Sequence, residues 1–404
     1  MIFRAAWVCP IDQPPIRNGA VRVESGQIAW VGSMAEHQPS DGGAAAGVDL
    51  GDVVLLPGLV NAHTHLELSW LRGKVPPAER FPDWVRSMFA TRGRPDVAMS
   101  AEQIRPMHDA IAEMRGAGTV AVGDISNSLA SVGPILQAGL DGVIFHELLG
   151  FKERDGALVE RSRDSRASAA RAGARVSIAP HAPYSTSPEL FGAIRAAVDA
   201  SACPIMSVHL GESPEEVELL QSGTGAWRLT LEALGLWRDD WDVPGCDPVA
   251  YLDRHHVIDS RTLVVHGVQF DDGALARLKQ IGSTLVTCPR SNKWVGVGYP
   301  PVERFYQSGV TVAVGTDSLA SVDDFNLFSE LRHMRALAPA VAAGRFLESA
   351  TLSGAKALGL GDQLGSLTPG KRAQMIAVTV PGSVENIEEY LVGGIAPSQI
   401  QWVS

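Results

Sequence analysis

The sequence predicts an α/β fold, a (β/α)8 TIM barrel with a small β-sandwich domain formed by both termini. Three observations predict it. Eight short apolar runs, each ending in polar residues, are separated by stretches of helical character. Near-continuous Val, Ile and Leu runs are what parallel strands buried on both faces require. The two ends of the chain, by contrast, alternate in short strand-like steps that suit a separate, mixed β unit.

In chain order the eight runs are VVLLPGLVNAHTH (53–65), GTVAVGDIS (118–126), DGVIFHELLG (141–150), RVSIAPHAPY (175–184), PIMSVHLGE (204–212), RTLVVHGV (261–268), STLVTCPRSN (283–292) and VTVAVGTDS (310–318). Strands alternating with helices imply crossover connections in a parallel sheet. The helices carry their own start signals. Segment 101–115 places Ile104, Met107, Ile111 and Met114 on one helical stripe. Thr186-Ser187-Pro188-Glu189 and Ser213-Pro214-Glu215-Glu216 each combine an N-cap hydroxyl with proline at the first helical position. In the second of these Glu216 completes a capping box with Ser213. The Gly/Ala-rich stretch 41–47 reads as a turn or flexible loop, and 223–258 as a long insertion after the fifth strand. The domain boundaries follow: 54–354 is the barrel, and 1–53 joins 355–404 in the composite β-domain.

Composition narrows the function. In 404 residues there are 34 Lys and Arg against 45 Asp and Glu, a formal net charge of −11. No basic stripe interrupts that acidic balance, which argues against a nucleic-acid partner. The four cysteines, Cys9, Cys203, Cys246 and Cys288, show no CxxC spacing and form no disulfide framework. No signal-peptide pattern opens the chain, and no run of about 18 apolar residues needed for a membrane span occurs. The expectation is a cytoplasmic protein acting on a small molecule, with no membrane partner.

The chemistry collects at the strand ends, where barrel enzymes carry their reactive groups. Five of the eight runs end in His or Asp: His63 with His65, His181, His209, His266 and Asp317. His63 and His65 lie two residues apart on a strand, so both imidazoles project to one side. Neutral imidazoles are good ligands for zinc or ferrous iron, and a catalytic site adds a carboxylate while keeping one position for water. His209 and Asp317 complete such a set with His63 and His65. Glu212, three residues after His209, is placed to accept a proton from water and return it to a leaving group. It also suits the start of the next helix. His266 is placed to orient the attacking oxygen or to bind a second ion. The fourth run ends in Ala179-Pro180-His181-Ala182, with neither lysine nor acid to bridge two ions, so one ion is expected. A catalytically inert barrel acting as a binding protein is the alternative of a different class.

These residues together resemble the amidohydrolase superfamily. The resemblance runs nearly the full length, through HTH after LPGLVNAH, HLGE, VVHG, GTDS and the closing LGSLTPGKRA. APHAPYSTS and CPRSN resemble its hydrolytic deaminases of adenosine-like nucleosides. That group includes S-adenosylhomocysteine/methylthioadenosine deaminases and the aminodeoxyfutalosine deaminases of menaquinone synthesis. NAHTHLELS with HLGESPEEVELL is most similar to the aminodeoxyfutalosine branch.

The resemblance implies that His63, His65, His209 and Asp317 hold one divalent ion, zinc or alternatively iron. It implies that Glu212 shuttles the proton, that His266 and Asp317 activate water, and that His181 hydrogen-bonds a ring nitrogen of the base. Ammonia then leaves the attacked ring carbon. Asp83 matches the place of an acid that holds ribose hydroxyls, although aspartate reaches less far than glutamate. Glu147 and Arg290 are further pocket candidates, and a homodimer is implied. An s-triazine or another aminated or chlorinated heterocycle is the alternative substrate, because the same site attacks any electron-poor ring carbon. Two departures are visible: KWVGVGYPPV follows CPRSN, which bears on the 5′ substituent, and Ala373-Gln374 replaces the usual Ala-Asp.

Overall fold

The computed structural model describes residues 1–35, 47–93 and 99–403. Among them are fifteen strands: β1 (Ile2–Val8), β2 (Ile16–Glu24), β3 (Gln27–Ser33), β4 (Gly47–Asp49), β5 (Val53–Pro57), β6 (Leu59–Thr64), β7 (Thr119–Ser126), β8 (Asp141–Leu148), β9 (Val176–Pro180), β10 (Met206–Leu210), β11 (Thr262–His266), β12 (Thr284–Thr287), β13 (Thr311–Val314), β14 (Met375–Thr379) and β15 (Ile400–Val403). Eight of them form two four-stranded parallel sheets, β6-β7-β8-β9 and β10-β11-β12-β13. Helices connect successive strands in this TIM-barrel-like α/β arrangement.

The two parallel sheets meet at both edges, and each meeting point is a pair of site residues. On one side the His209 N–H donates to the His181 carbonyl at 2.9 Å. On the other the N–H groups of Thr316 and Asp317 both donate to the His63 carbonyl, each at 3.1 Å. The second approach requires glycine in the GTDS motif, since a Cβ on Gly315 would lie 2.7 Å from the Cβ and carbonyl oxygen of His63.

Both faces of the strands are buried, as the apolar runs predict. One apolar cluster takes alternate residues, among them Val60, Ala62, Val143, Phe145, Ala179, Val265 and Ala313, together with Leu358 and Leu364 from beyond the last parallel strand. The opposite faces, including Ile178, Val208, Val264 and Val312, pack against the helices in a second cluster. Alternation from the first cluster carries Glu147, His181, His209 and Asp317 to the same side as Phe145, Ala179, Ser207 and Ala313.

The chain ends pair in one seven-stranded mixed sheet, β15-β14-β5-β1-β2-β3 with β4 on β1, where a sandwich was expected. The expected strand 53–65 is also two strands. β5 pairs with β1 and β14 in the mixed sheet, whereas β6 pairs with β7. The break falls at Pro57-Gly58. There the backbone runs so close to Val120 that a Cβ on Gly58 would lie 2.1 Å from its Cγ1. CPRSN likewise leaves its strand at Thr287, because Pro289 opens the helix Pro289–Trp294. The expected loop 41–47 lies outside the described residues except for Gly47, which starts β4.

Segment 223–258 contains no strand, as expected, but is not a plain loop. It holds the helices Ala226–Ala233 and Pro248–Arg254. Trp227 from the first lies flat on Tyr184 after β9, with ring centroids 4.1 Å apart and planes at 3°. Among the described residues no helix is long and apolar enough to cross a membrane.

Candidate metal centre and active site

Three imidazoles converge where β6 and β10 end. Nε2 of His65 and Nε2 of His209 face each other at 3.3 Å. The His63 ring stands edge-on to both, its centroid 5.0 Å from that of His65 and 4.9 Å from that of His209. Asp317 adds a carboxylate, its Oδ1 3.4 Å from His65 Nε2 and 3.9 Å from His63 Nε2. The register of β6 against β7 shifts between Asn61 and Thr64. Plain alternation from the interior residues Val60 and Ala62 therefore does not continue, and both His63 and His65 reach the mouth.

The donor set fits a divalent cation. His63 is fully buried, yet neither of its ring nitrogens has a hydrogen-bond partner among the described residues. Buried polar atoms are rarely left unpaired. The ring nitrogens of His63, His65 and His209 can all lie within 4.8 Å of one another. Burial first, and then the neighbouring imidazoles, hold His63 and His65 well below the ordinary histidine value, and His209 is pulled down to about 4. All three are thus neutral at physiological pH, the form that binds metal. His209 Nδ1 donates to the His181 carbonyl at 3.1 Å, which leaves Nε2 as the lone-pair nitrogen turned toward His65.

A second group of potential ligands, Glu147, His181 and His209, shares His209 with the first. The Nδ1 of His209 is already spent on the His181 carbonyl, so that group has two free donors rather than three. This supports one ion.

Glu212 and His266 stand beside the centre. His266 is buried, with its ring centroid 5.4 Å from His209 and 5.7 Å from His63. It follows the interior residue Val265 and by alternation would face away. A left-handed backbone, φ 79°, turns it back. Asp317 also has a left-handed backbone, φ 61°, and such strain in non-glycine residues concentrates at functional sites. Asn292 Nδ2 donates to His266 Nδ1 at 3.0 Å, so Nε2 carries the proton and points at Glu212 Oε1, 3.6 Å away. Burial, and then the charges of Asp317 and Glu216, push the Glu212 carboxyl well above its usual range. Asp317 is raised by burial to about 6, while Ser291 Oγ donates to its Oδ2 at 2.5 Å. His181 bonds Ser185 Oγ through Nδ1 at 2.6 Å, and its Nε2 is left for the pocket.

The amidohydrolase family model matches residues 54–394. The chain belongs to the amidohydrolase family. A 5-methylthioadenosine/S-adenosylhomocysteine deaminase of Moorella thermoacetica is 28% identical over 396 residues, covering 94% of this chain and 85% of the relative. An adenosine deaminase from Xanthomonas campestris with bound zinc superposes with TM-score 0.81 at 26% identity, covering 99% of this chain and 90% of that one. The Helicobacter pylori aminofutalosine deaminase, in complex with methylthio-coformycin, superposes with TM-score 0.82 at 24% identity over 97% and 95% of the two chains. The protein is accordingly a hydrolase acting on carbon–nitrogen bonds.

Two residues that position the amidohydrolase site were not singled out for that role by the sequence. Glu216 is fully buried and its carboxylate reaches back past the helix end. Oε1 accepts from the Gly211 N–H at 2.9 Å and Oε2 from the Glu212 N–H at 3.1 Å. It therefore orients the HLGE loop itself, whereas a simple capping box would return to Ser213. Burial raises its carboxyl to about 7 against the pull of those two N–H groups. Glu67, in HLELS, is caged by the loop after β7. It accepts from the backbone N–H groups of Asn127 at 3.0 Å, Ser128 at 3.2 Å and Ala130 at 3.0 Å, and from the hydroxyls of Ser126 and Ser128. The available signal was an acid two residues after HTH in an otherwise apolar stretch.

The predicted substrate contacts divide. Glu147 is in the mouth, buried, with Oε2 accepting from Asn127 Nδ2 at 2.9 Å and Oε1 3.5 Å from His209 Nδ1. Asp83 is placed elsewhere. Its helix, Phe81–Arg92, buries Phe81, Trp84 and Met88, and that phase turns Asp83 to solvent, where it pairs with Arg86 at 3.0 Å. Arg290 is also committed elsewhere. Its Nε donates to Glu330 Oε1 at 2.7 Å and its NH1 to Asp324 Oδ1 at 3.0 Å, which ties the helix Pro289–Trp294 to Leu327–Leu337.

Proposed function

We propose that this amidohydrolase is a metal-dependent hydrolytic deaminase releasing ammonia from the aminated purine-type ring of a nucleoside. Aminodeoxyfutalosine is the leading substrate, with S-adenosylhomocysteine, methylthioadenosine and adenosine as alternatives. The observation that carries the reading is the buried Glu212–His266 pair at 3.6 Å beside the His63, His65 and His209 cluster. The deaminase activities of the Moorella and Xanthomonas relatives support it.

One ion is assigned to His63, His65, His209 and Asp317; zinc is favoured by the Xanthomonas relative, with iron as the alternative. Once bound, it would act as a Lewis acid and lower the pKa of a water to about 7. The protein supplies the rest. Glu212, with its raised pKa, moves a proton between the attacking water and the ring nitrogen next to the reacting carbon. His266, fixed as the Nε2–H form by Asn292, donates to the oxygen on which negative charge develops. His181 offers Nε2 to the base, and Glu147 is a further pocket contact. The parallel-strand unit carries this chemistry beside a β-domain built from both ends of the chain, in a cytoplasmic homodimer.

Ammonia release by the zinc-loaded protein from aminodeoxyfutalosine, S-adenosylhomocysteine, methylthioadenosine, adenosine, guanine and an s-triazine tests the reading. Turnover of the adenine nucleosides without the triazine supports it. Ammonia from none of the nucleosides removes it.

A further inference from the structure

Asn127, the first residue after β7, has all four of its polar groups engaged. Its N–H donates to Glu67 Oε2 at 3.0 Å, and its carbonyl accepts from His146 Nε2 at 3.1 Å. In the side chain, Oδ1 accepts from Arg92 at 2.9 Å. Nδ2 donates to Glu147 Oε2 at 2.9 Å and more loosely to the Glu147 carbonyl at 3.4 Å. The residue thus joins the turn after β6, the end of β7, two successive positions of β8 and the last residue of the helix Phe81–Arg92.

The direction of the amide follows from its neighbours. A guanidinium only donates, so Arg92 selects Oδ1, and an ionised carboxylate only accepts, so Glu147 selects Nδ2. With Oε2 held in this way, Glu147 turns its other oxygen to His209. Oε1 is buried and has no hydrogen-bond partner among the described residues, and it lies 3.5 Å from His209 Nδ1. That distance exceeds a hydrogen bond, so the contact is one of charge. It falls on the protonated side of the ring, where Nδ1 donates to the His181 carbonyl, and opposite the Nε2 that faces His65. A carboxylate behind a metal-binding imidazole fixes the ring and makes its free nitrogen a better donor. Deprived of the amide, the buried Glu147 carboxylate would turn to recover a donor and leave that station.

We propose that Asn127 is a positioning residue of the metal centre: its amide holds Glu147 Oε1 against His209 and so tightens retention of the divalent ion. This rests on the assignment of His209 as a ligand. Asn127 touches none of His63, His65, His209 and Asp317 among the described residues, and its effect passes through Glu147. Glu67 and Arg92 set the amide in place from the other side, one through the backbone N–H and one through Oδ1. The role given to Glu147 is therefore at the back of a ligand, in addition to the pocket contact.

The test is the zinc Kd of the full-length protein, measured by competition with a chromophoric chelator, with Tm on the same preparations. Asn127→Leu, similar in size but without the donor, should weaken zinc binding about tenfold or more, and so should Glu147→Gln. The double variant should bind zinc as Glu147→Gln does, because the amide has no carboxylate left to position. Additive losses would overturn the proposal, since Asn127 would then act without Glu147. An unchanged Kd in Asn127→Leu, whatever happens to Tm or to KM for S-adenosylhomocysteine, would also overturn it and leave Asn127 a brace of the fold or of the pocket. Arg92→Met carries the same test if Asn127→Leu does not fold: it loosens the amide from Oδ1 and should raise the zinc Kd by a smaller factor, and an unchanged Kd there would count against the proposal. Failure of the metal-centre reading is separate: wild type that takes up no zinc.

Discussion

Glu216→Gln separates positioning of the Glu212 carboxylate from simple helix capping. The wild-type carboxylate receives two backbone N–H groups, Gly211 at 2.9 Å and Glu212 at 3.1 Å, with no exposure to solvent. Glutamine keeps one acceptor oxygen and sets an amide N–H against the other backbone N–H. One buried donor is then left unpaired, at a cost of about 1–3 kcal/mol. Alanine would orphan both donors and open a cavity, so glutamine is the informative change. The strain is relieved by moving the Gly211–Glu212 peptide, and Glu212 moves with it. A misplacement of about 1 Å at a reacting group costs roughly 10²-fold. The measurement is steady-state ammonia release, with metal content and thermal melting on the same preparation. We expect kcat to fall about 10- to 100-fold with KM nearly unchanged, a lower Tm and wild-type metal content. A lowered Tm with wild-type kcat would refute the reasoning and reduce Glu216 to a cap.

Three further outcomes are expected. Glu212→Gln should keep its metal and lose turnover by about 10²–10⁴-fold, and wild-type activity would remove its assigned role. Stripping the ion with a chelator should abolish activity and lower the Tm, by about 4 kcal/mol of lost stabilisation where free metal had stood at 1,000 times its Kd. Added zinc should restore both in wild type but not in His63→Ala. Asp124, fully buried with Oδ1 accepting from the Leu66 N–H at 2.9 Å, is raised by burial to about 8. Its folded form retains the proton that the unfolded chain releases near pH 4, so its contribution to stability declines as pH rises from about 4 to about 8. Asp124→Asn should remove that decline, worth up to about 1.4 kcal/mol per pH unit. A Tm difference between the two proteins that stays flat from pH 5 to pH 8 would contradict it.

The legible part of the site is the part written in local periodicity. His209 and Asp317 lie on the same side of their strands as the interior residues Ser207 and Ala313, and each sits at a strand end, so residue type plus alternation was enough to nominate them. His63, His65 and His266 were nominated on the same grounds, yet they reach the centre by different means. A register shift in β6 and a left-handed backbone at His266 break the alternation. The structure brings them together for reasons that a two-residue period does not contain. Asp83 shows the opposite case: the motif suggested a pocket acid, but Phe81, Trp84 and Met88 set the helix phase and turned it outward.

By itself the sequence determined the alternation of apolar strands with helices and the strand ends that carry imidazole and carboxylate. These depend on residue type and on neighbours a few positions away. Only the tertiary structure decided that 53–65 divides at Gly58, that the terminal strands share one sheet, that Glu67 and Glu216 brace the loops, and that Arg290 pairs with Glu330 and Asp324. Each of those outcomes turns on which buried donors and charges meet across the fold. Because a buried polar group must find its partner wherever the packing allows, its choice is settled by three-dimensional neighbours and leaves no periodic trace along the chain.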